Sequence, residues 1–277
     1  MEYLIEHFHK KIDCYYNINI PKIKLHLHNH LELFLFIRGD VRYFIDGKAI
    51  ELKPGHLLFI NNNQIHGPNL LSDALYERIS VHFSNKFAEV LSTEKTSLLK
   101  TFNERVSLIQ LSDNQLQHMI NLMKELTNEY NAPSAYGHDL EMSSMLIRIL
   151  LYANRCAANS EEAVLDSHLP ELVKNMLIFI QENLDSSELS VDMLAQKFSH
   201  NGIYLNRIFK KELSSSIYHY ILLSRISAAK KHLENGKDVL NTCYLSGFND
   251  YSNFIRTFKK ITGVTPKQYA KKFREHN

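Results

Sequence analysis

Apolar and polar positions alternate with a period of two over residues 24–36, where Leu25 and Leu27 sit between His26, His28 and His30. Shorter β-rich runs follow at residues 41–45, 50–52, 57–60 and 79–83. Turn signals at Arg38-Gly39-Asp40, Asp46-Gly47 and Lys53-Pro54-Gly55 separate them. Asp46-Gly47 predicts a tight hairpin, because such a turn needs positive φ and these two residue types tolerate it. Strands spaced about ten residues apart predict an antiparallel barrel or sandwich.

The period then changes. Leu116, Met119, Met123, Leu126 and Tyr130 recur at three and four residues, which predicts an amphipathic helix. Asn131-Ala132-Pro133 ends it, and Leu140, Met142, Met145, Leu146 and Ile149 begin a second apolar stripe. Two such helices can cover the barrel, pair with a second subunit, or do both on different faces. Residues 157–170 are small, polar and acidic without periodicity, as a linker is, and everything beyond reads as helix. The expected organisation is an antiparallel barrel in 1–110, a helical packing and dimerisation segment in 111–156, the linker in 157–170 and an all-α domain in 171–277.

Composition narrows the class. With 44% hydrophobic and 22% charged residues in 277, the chain is an ordinary globular protein rather than a disordered or fibrous one. No apolar run approaches the roughly 18 residues of a membrane span, and no secretory pattern opens the chain. Cys14, Cys156 and Cys243 are odd in number and far apart, which predicts free thiols and a cytoplasmic location. The net charge of +2 is unevenly spread: residues 1–170 carry 16 Lys and Arg against 20 Asp and Glu, residues 171–277 carry 16 against 10. A basic second half suggests a polyanionic partner.

That half contains a repeat. Leu205, Arg207, Phe209, Lys210, Lys211 and Tyr220 reappear 49 residues later as Phe254, Arg256, Phe258, Lys259, Lys260 and Tyr269. In the first copy Ser190 caps one helix and Asn201 caps a second, after a short break. Leu205 and Phe209 face inward, leaving Ile203, Asn206, Arg207 and Lys210 outside. In the second copy the turn is Gly247-Phe248-Asn249-Asp250, and Tyr251, Ser252, Ile255 and Arg256 are left outside. A helix, a tight turn and a second helix with donors near its start is the arrangement that enters the major groove. Arginine can pair with guanine there and asparagine with adenine.

Residues 190–273 resemble the DNA-binding domain of the AraC/XylS family of bacterial transcription regulators. The resemblance is carried by Leu205-Asn206-Arg207-Ile208-Phe209-Lys210-Lys211-Glu212-Leu213, Tyr220, Arg225, Ala229, Leu233, Gly247-Phe248, Ser252, Phe254, Phe258-Lys259, Gly263, Pro266 and Tyr269. It implies that Ile203, Asn206, Arg207 and Lys210 in one copy, and Tyr251, Ser252, Ile255 and Arg256 in the other, meet DNA. It also implies a homodimer that works with RNA polymerase. The sequence departs from the family at Ser214, where glycine is usual, at Thr242-Cys243, where Ile-Ala is usual, and at Ala270, where arginine is common.

In the first half His26, His28 and Glu32 form HxHxxxE, with Gly39, Gly55 and His66 following at spacings that resemble the two motifs of the cupin barrel. If residues 24–38 form one strand, the side chains of His26, His28, Glu32 and Arg38 share its inner face. In sensor domains of the regulator family such residues line a pocket for a small polar molecule, commonly a sugar. The expected ligand-binding set is therefore His26, His28, Glu32, Arg38 and His66. No cofactor, catalysis or resident metal is expected; a metal, if bound, would sit on His26, His28, Glu32 and His66. Asn61-Asn62-Asn63, where cupins often carry Pro and Gly, is one reason to expect well under one equivalent. Two other readings remain open: a metal-dependent cupin enzyme with an appended helical domain, and a constitutive DNA-binding protein whose barrel only dimerises.

Overall fold

The computed structural model describes residues 11–19, 23–104, 107–160 and 169–276. Its first half is built from β1 (Ile12–Ile18), β2 (Leu31–Arg38), β3 (Val41–Ile45), β4 (Lys48–Glu51), β5 (His56–Ile60), β6 (His66–Leu70), β7 (Glu77–Phe83) and β8 (Leu108–Gln110). Short helices α1 (Asn85–Leu91) and α2 (Lys100–Asn103) precede β8, and α3 (Asp113–Asn131) and α4 (His138–Ala158) follow it. The strands form two antiparallel sheets, one in the order β1-β7-β2-β5-β8 and one in the order β4-β3-β6. The expected barrel is thus two separate ladders rather than one closed wall. The hairpin at Asp46-Gly47 is present, with φ of 43° and 90° at the two residues.

The alternation along β2 sorts its side chains into two layers. Leu31, Leu33 and Leu35 join a core with Met119, Met123 and Leu126 of α3 and Leu146, Ile149 and Ala153 of α4. The apolar stripes of the two helices therefore cover the outer face of the larger sheet. Phe34 and Phe36 point the other way, into a core shared with Tyr43, Ile45, Leu58 and Ile60 between the sheets. The ring centroids of Phe34 and Tyr43 lie 4.9 Å apart.

Two expectations fail here. Residues 24–30 are not part of a regular strand; within them only His26 makes a β-bridge, to His66. They cross from one sheet to the other before β2 begins. Arg38 also leaves the common face, because the register between β2 and β7 shifts between Phe36 and Arg38, a bulge that re-aims the side chain.

The second half comprises α5 (Glu171–Glu182), α6 (Val191–Phe198), α7 (Gly202–Leu213), α8 (Ile217–Glu234), α9 (Val239–Leu245), α10 (Tyr251–Thr262) and α11 (Pro266–His276). Side chains of Ser190, Asn201, Ser216, Asp238 and Asp250 accept backbone N–H bonds at five of these helix starts. Thr265 and Gln268 exchange bonds at the start of α11. Helices α6–α7 and α9–α10 are the two copies, with α8 running between them. Of the expected linker, residues 161–168 lie outside the described residues; α4 extends to Ala158 and α5 starts at Glu171.

The smaller sheet is sandwiched. Its outer residues Phe44 and Ala49, with Leu25, Leu27 and Ile65, are buried in the same core as Val173, Leu205, Phe209, Tyr220 and Leu223 of the helical half. Phe44 meets Tyr220 edge to face at 6.0 Å. The molecule is layered: helices α3 and α4, the larger sheet, the smaller sheet, and then the helical domain. No described helix is long and apolar enough to cross a membrane.

Candidate functional site

The second helix of each copy presents the residues that the repeat singles out. On α7, Ile203 is 81% exposed and Arg207 and Lys210 are exposed; on α10, Tyr251, Ser252 and Arg256 are exposed and Ile255 half-buried. Leu205, Phe209, Phe254 and Phe258 are fully buried beneath them, fixing which face looks outward. Asn206 is half-committed: its Oδ1 accepts from the Ile217 amide at 3.0 Å, satisfying a donor in the first turn of α8. It also borders a groove lined by Val191, Asp192, Asn201, Gly202 and Ile203, between α6 and the start of α7.

The carboxyl end of α7 is bound by the other half of the molecule. Asn69 of β6 donates its Nδ2 to the carbonyls of Lys211 and Glu212 at 2.8 and 2.9 Å. These are last-turn carbonyls without a partner inside the helix, so a residue of the sheet domain caps α7. The Ser214 hydroxyl donates to Asn69 Oδ1 at 2.5 Å, and Arg42 pairs with Glu212 Oε2 at 2.5 Å. Ser214 itself is left-handed, with φ of 51°. Helix α8 is held through His219, which donates to the Leu25 carbonyl at 3.0 Å, and Ser227, which donates to the Asn63 carbonyl at 3.1 Å. Glu234 accepts from Asn63 at 3.3 Å and from the Tyr269 hydroxyl at 2.5 Å.

The other candidate site lies in the sheet domain. His26, His28, Glu32 and His66 converge as the motif spacing implies, although His26 and His28 reach the cluster from the crossing segment. Glu32 Oε2 lies 3.2 Å from both His28 Nε2 and His66 Nε2. Two histidines outside the motif complete the cluster. His82 stands opposite Glu32 in the β2–β7 ladder, with Nε2 3.7 Å from Glu32 Oε1, and its Nδ1 is 2.8 Å from His30 Nε2. Arg78 Nη1 approaches Oε1 at 3.9 Å. All but His26 are buried; His26 is half-buried at the rim. Arg38 is not among them. It lies six residues along β2 from Glu32, about 20 Å at strand rise, exposed and paired with Glu77 at 2.6 Å.

Burial dominates the electrostatics. It drives the His26 imidazole well below its ordinary range, takes His28 down to about 3 against the pull of Glu32, and lowers His30. Burial alone would raise the Glu32 carboxyl, but His82, His28 and His66 outweigh it and hold the group well below the usual carboxylate range. The cluster therefore sets an ionised carboxylate beside the neutral imidazoles of His26, His28 and His30. His66 Nε2 is buried and, among the described residues, makes no well-aligned hydrogen bond although it lies 3.2 Å from Glu32 Oε2. An orphaned nitrogen beside a carboxylate suits a cation, so the donor set fits a transition metal as well as a polar molecule.

Comparison with known proteins decides the family. Residues 13–150 match the AraC-like ligand binding domain and residues 194–272 match a helix-turn-helix domain. The chain belongs to the AraC family of transcription regulators. It is 25% identical over 257 residues to the melibiose operon regulatory protein of Escherichia coli K12, covering 89% of this chain and 83% of that one. Against the HTH-type transcriptional activator RhaS of Mannheimia succiniciproducens it is 23% identical over 244 residues, covering 88% and 87%. Among solved structures, the C-terminal domain of AraT from Geobacillus stearothermophilus is 27% identical, covering 38% of this chain and 88% of that one, with a TM-score of 0.38. As an AraC-family member the chain is a ligand-responsive, DNA-binding transcription regulator and not an enzyme. The metal-dependent enzyme reading falls with that finding.

Proposed function

We propose that this regulator reads two adjacent major-groove segments with α7 and α10, and that the sheet domain controls the first of them through its grip on the end of α7. Ile203, Asn206, Arg207 and Lys210 meet one segment; Tyr251, Ser252, Ile255 and Arg256 meet the other. The observation that carries the control is the Asn69 side chain capping α7 while Arg42 holds Glu212. The effector binds at the histidine cluster of His26, His28, Glu32 and His66, whose chain segments adjoin that grip. A sugar effector is a second reading, favoured by the name of the melibiose operon relative. Self-association is assigned to the α3–α4 segment, where Leu140 is 72% exposed, and RNA polymerase is the protein partner of this reading.

The test is sequencing of genomic fragments bound by the full-length protein, followed by affinity measurements on the recovered site. Arg207→Ala should weaken binding there by about 1–3 kcal/mol and relax base preference within one segment only. An equal loss on cognate and random DNA would leave Arg207 as a phosphate contact and overturn the reading role.

A further inference from the structure

Three side chains stand in a row along one flank of α7. Ser199 closes α6 in the left-handed conformation, with φ of 54°, and the His200 amide donates back to the Ala195 carbonyl at 3.1 Å. That reversal sets His200 directly ahead of Asn201, the cap of α7, one helical turn before Tyr204. The His200 and Tyr204 rings lie 5.1 Å apart, tilted by 46°. On the other side of Tyr204, the Arg207 guanidinium lies over its ring, 5.6 Å from the centroid. His200 and Arg207 are exposed, and Tyr204 between them is 39% exposed. Among the described residues no carboxylate pairs with Arg207, so its N–H donors stay available.

The neighbouring reader is placed otherwise. Asn206 turns its Oδ1 to the Ile217 amide, so the acceptor and donor that adenine takes together are not both presented to a groove. Arg207 is left as the base reader of α7 with a complete fork. The second copy lacks the aromatic platform: at the 49-residue offset Asn253 stands in the place of Tyr204 and Asn249 in that of His200. The Asn253 side chain accepts from the Thr257 hydroxyl at 3.4 Å, along its own helix. Among the described residues no aromatic ring lies beneath Arg256 as Tyr204 lies beneath Arg207.

We propose that Tyr204, braced by His200, is the positioning residue of base reading in the first copy. It holds the Arg207 fork in one orientation before DNA arrives, so that α7 demands guanine at one base pair more strictly than α10 selects the base facing Arg256. A flexible arginine gives up its freedom on binding, whatever base it meets; one already laid against a ring has given up much of it in the free protein. The planar guanidinium stacks by its face and keeps its edge, where the donors are, turned outward. A fixed edge pairs in two places with guanine and leaves donors unpaired opposite another base, whereas a mobile one can swing to a phosphate. The inference rests on the reading role given to Arg207 above and names the residues that make it selective.

The test uses full-length protein and duplexes of the recovered site in which each base pair is replaced in turn. The pair at which Arg207→Ala relaxes the preference is the one that Arg207 reads, and Arg256→Ala marks the other. Tyr204→Ala should lower the preference for guanine at the Arg207 pair at least threefold, with the Arg256 pair and affinity for random duplex both within about twofold of the parent. Tyr204→Phe, which keeps the ring, should keep the preference; if it fails as Tyr204→Ala does, the hydroxyl acts rather than the stacked face, and the inference falls. In an Arg207→Ala background Tyr204→Ala should change the preference no further, because no guanidinium is left to hold. Asn253→Tyr, which gives the second copy a ring, should sharpen the preference at the Arg256 pair at least twofold, and no change there would overturn the orienting role of the ring. Thermal denaturation checks that each variant is folded. Preference unchanged in Tyr204→Ala but lost in Arg207→Ala overturns the role of Tyr204 and leaves the reading role of Arg207 standing. Preference lost in neither variant overturns both.

Discussion

The two helix-turn-helix copies are built to one plan, yet they stand in different positions toward the rest of the molecule. Position by position at the 49-residue offset, Asn201 and Asp250 cap the reading helices, Arg207 and Arg256 face outward, and Phe209 and Phe258 are buried. At the carboxyl end the copies diverge. The first has Glu212 and Ser214, which hold Arg42 and Asn69 of the sheet domain; the second has Ile261 and Gly263 in their places. Ser214 and Gly263 both adopt the left-handed conformation, where glycine is at ease and serine is strained. The serine is the family departure, and its hydroxyl is what reaches Asn69. One copy has traded backbone comfort for a bond to the sheet domain, which teaches that a helix end tied to another domain can be recognised from its departures from the shared pattern.

The largest way to break the comparison lies in the second copy. Gly247 has a φ of 78°, and a Cβ there would fall 2.3 Å from the Leu184 carbonyl oxygen. Gly247→Ala should destabilise the helical domain by at least about 3 kcal/mol. Thermal denaturation of the full chain reads this, and a loss under about 1 kcal/mol would show that the turn within the second copy is soft. Next in size is the DNA itself. The reading helices should face one side of the duplex about one turn apart, so inserting about five base pairs between the half-sites places them on opposite faces. Affinity should fall to that of a single half-site; unchanged affinity would mean that only one copy reads bases.

The smallest effects sharpen the comparison most. Ser214→Gly should stabilise the helical domain by about 1 kcal/mol by relieving the left-handed serine, while weakening the response to effector. Gly263→Ser should cost about the same and leave the response intact, because among the described residues of the sheet domain none is bonded to Gly263 in the way that Asn69 is to Ser214. Denaturation curves paired with effector titrations separate the two results.

Much of this was legible in the sequence because it is local. The helix caps and the Asp46-Gly47 hairpin rest on residues within a few positions of one another, each copy of the repeat is a pattern local to one helix pair, and all are found. What was hidden depends on pairing across the chain. His82 enters the cluster only because β7 lies beside β2 with His82 opposite Glu32, 50 residues away. Strand β6 was missed because Gly67-Pro68 reads as a breaker, and it supplies Asn69, the cap of α7. Arg38 was misplaced by a bulge that no alternation pattern reveals. The motif histidines converge, but through a segment that bridges to β6 at a single residue, His26, rather than along one strand.

The central claim is that the sheet domain controls DNA reading through the end of α7 and not through α10. Footprinting of the full-length protein on its recovered site, parent against Arg42→Ala/Asn69→Ala, tests it most directly. The account predicts that releasing the end of α7 alters protection over the half-site read by Arg207 and leaves the half-site read by Arg256 as it was. Equal changes over both half-sites, or none over either, would contradict it.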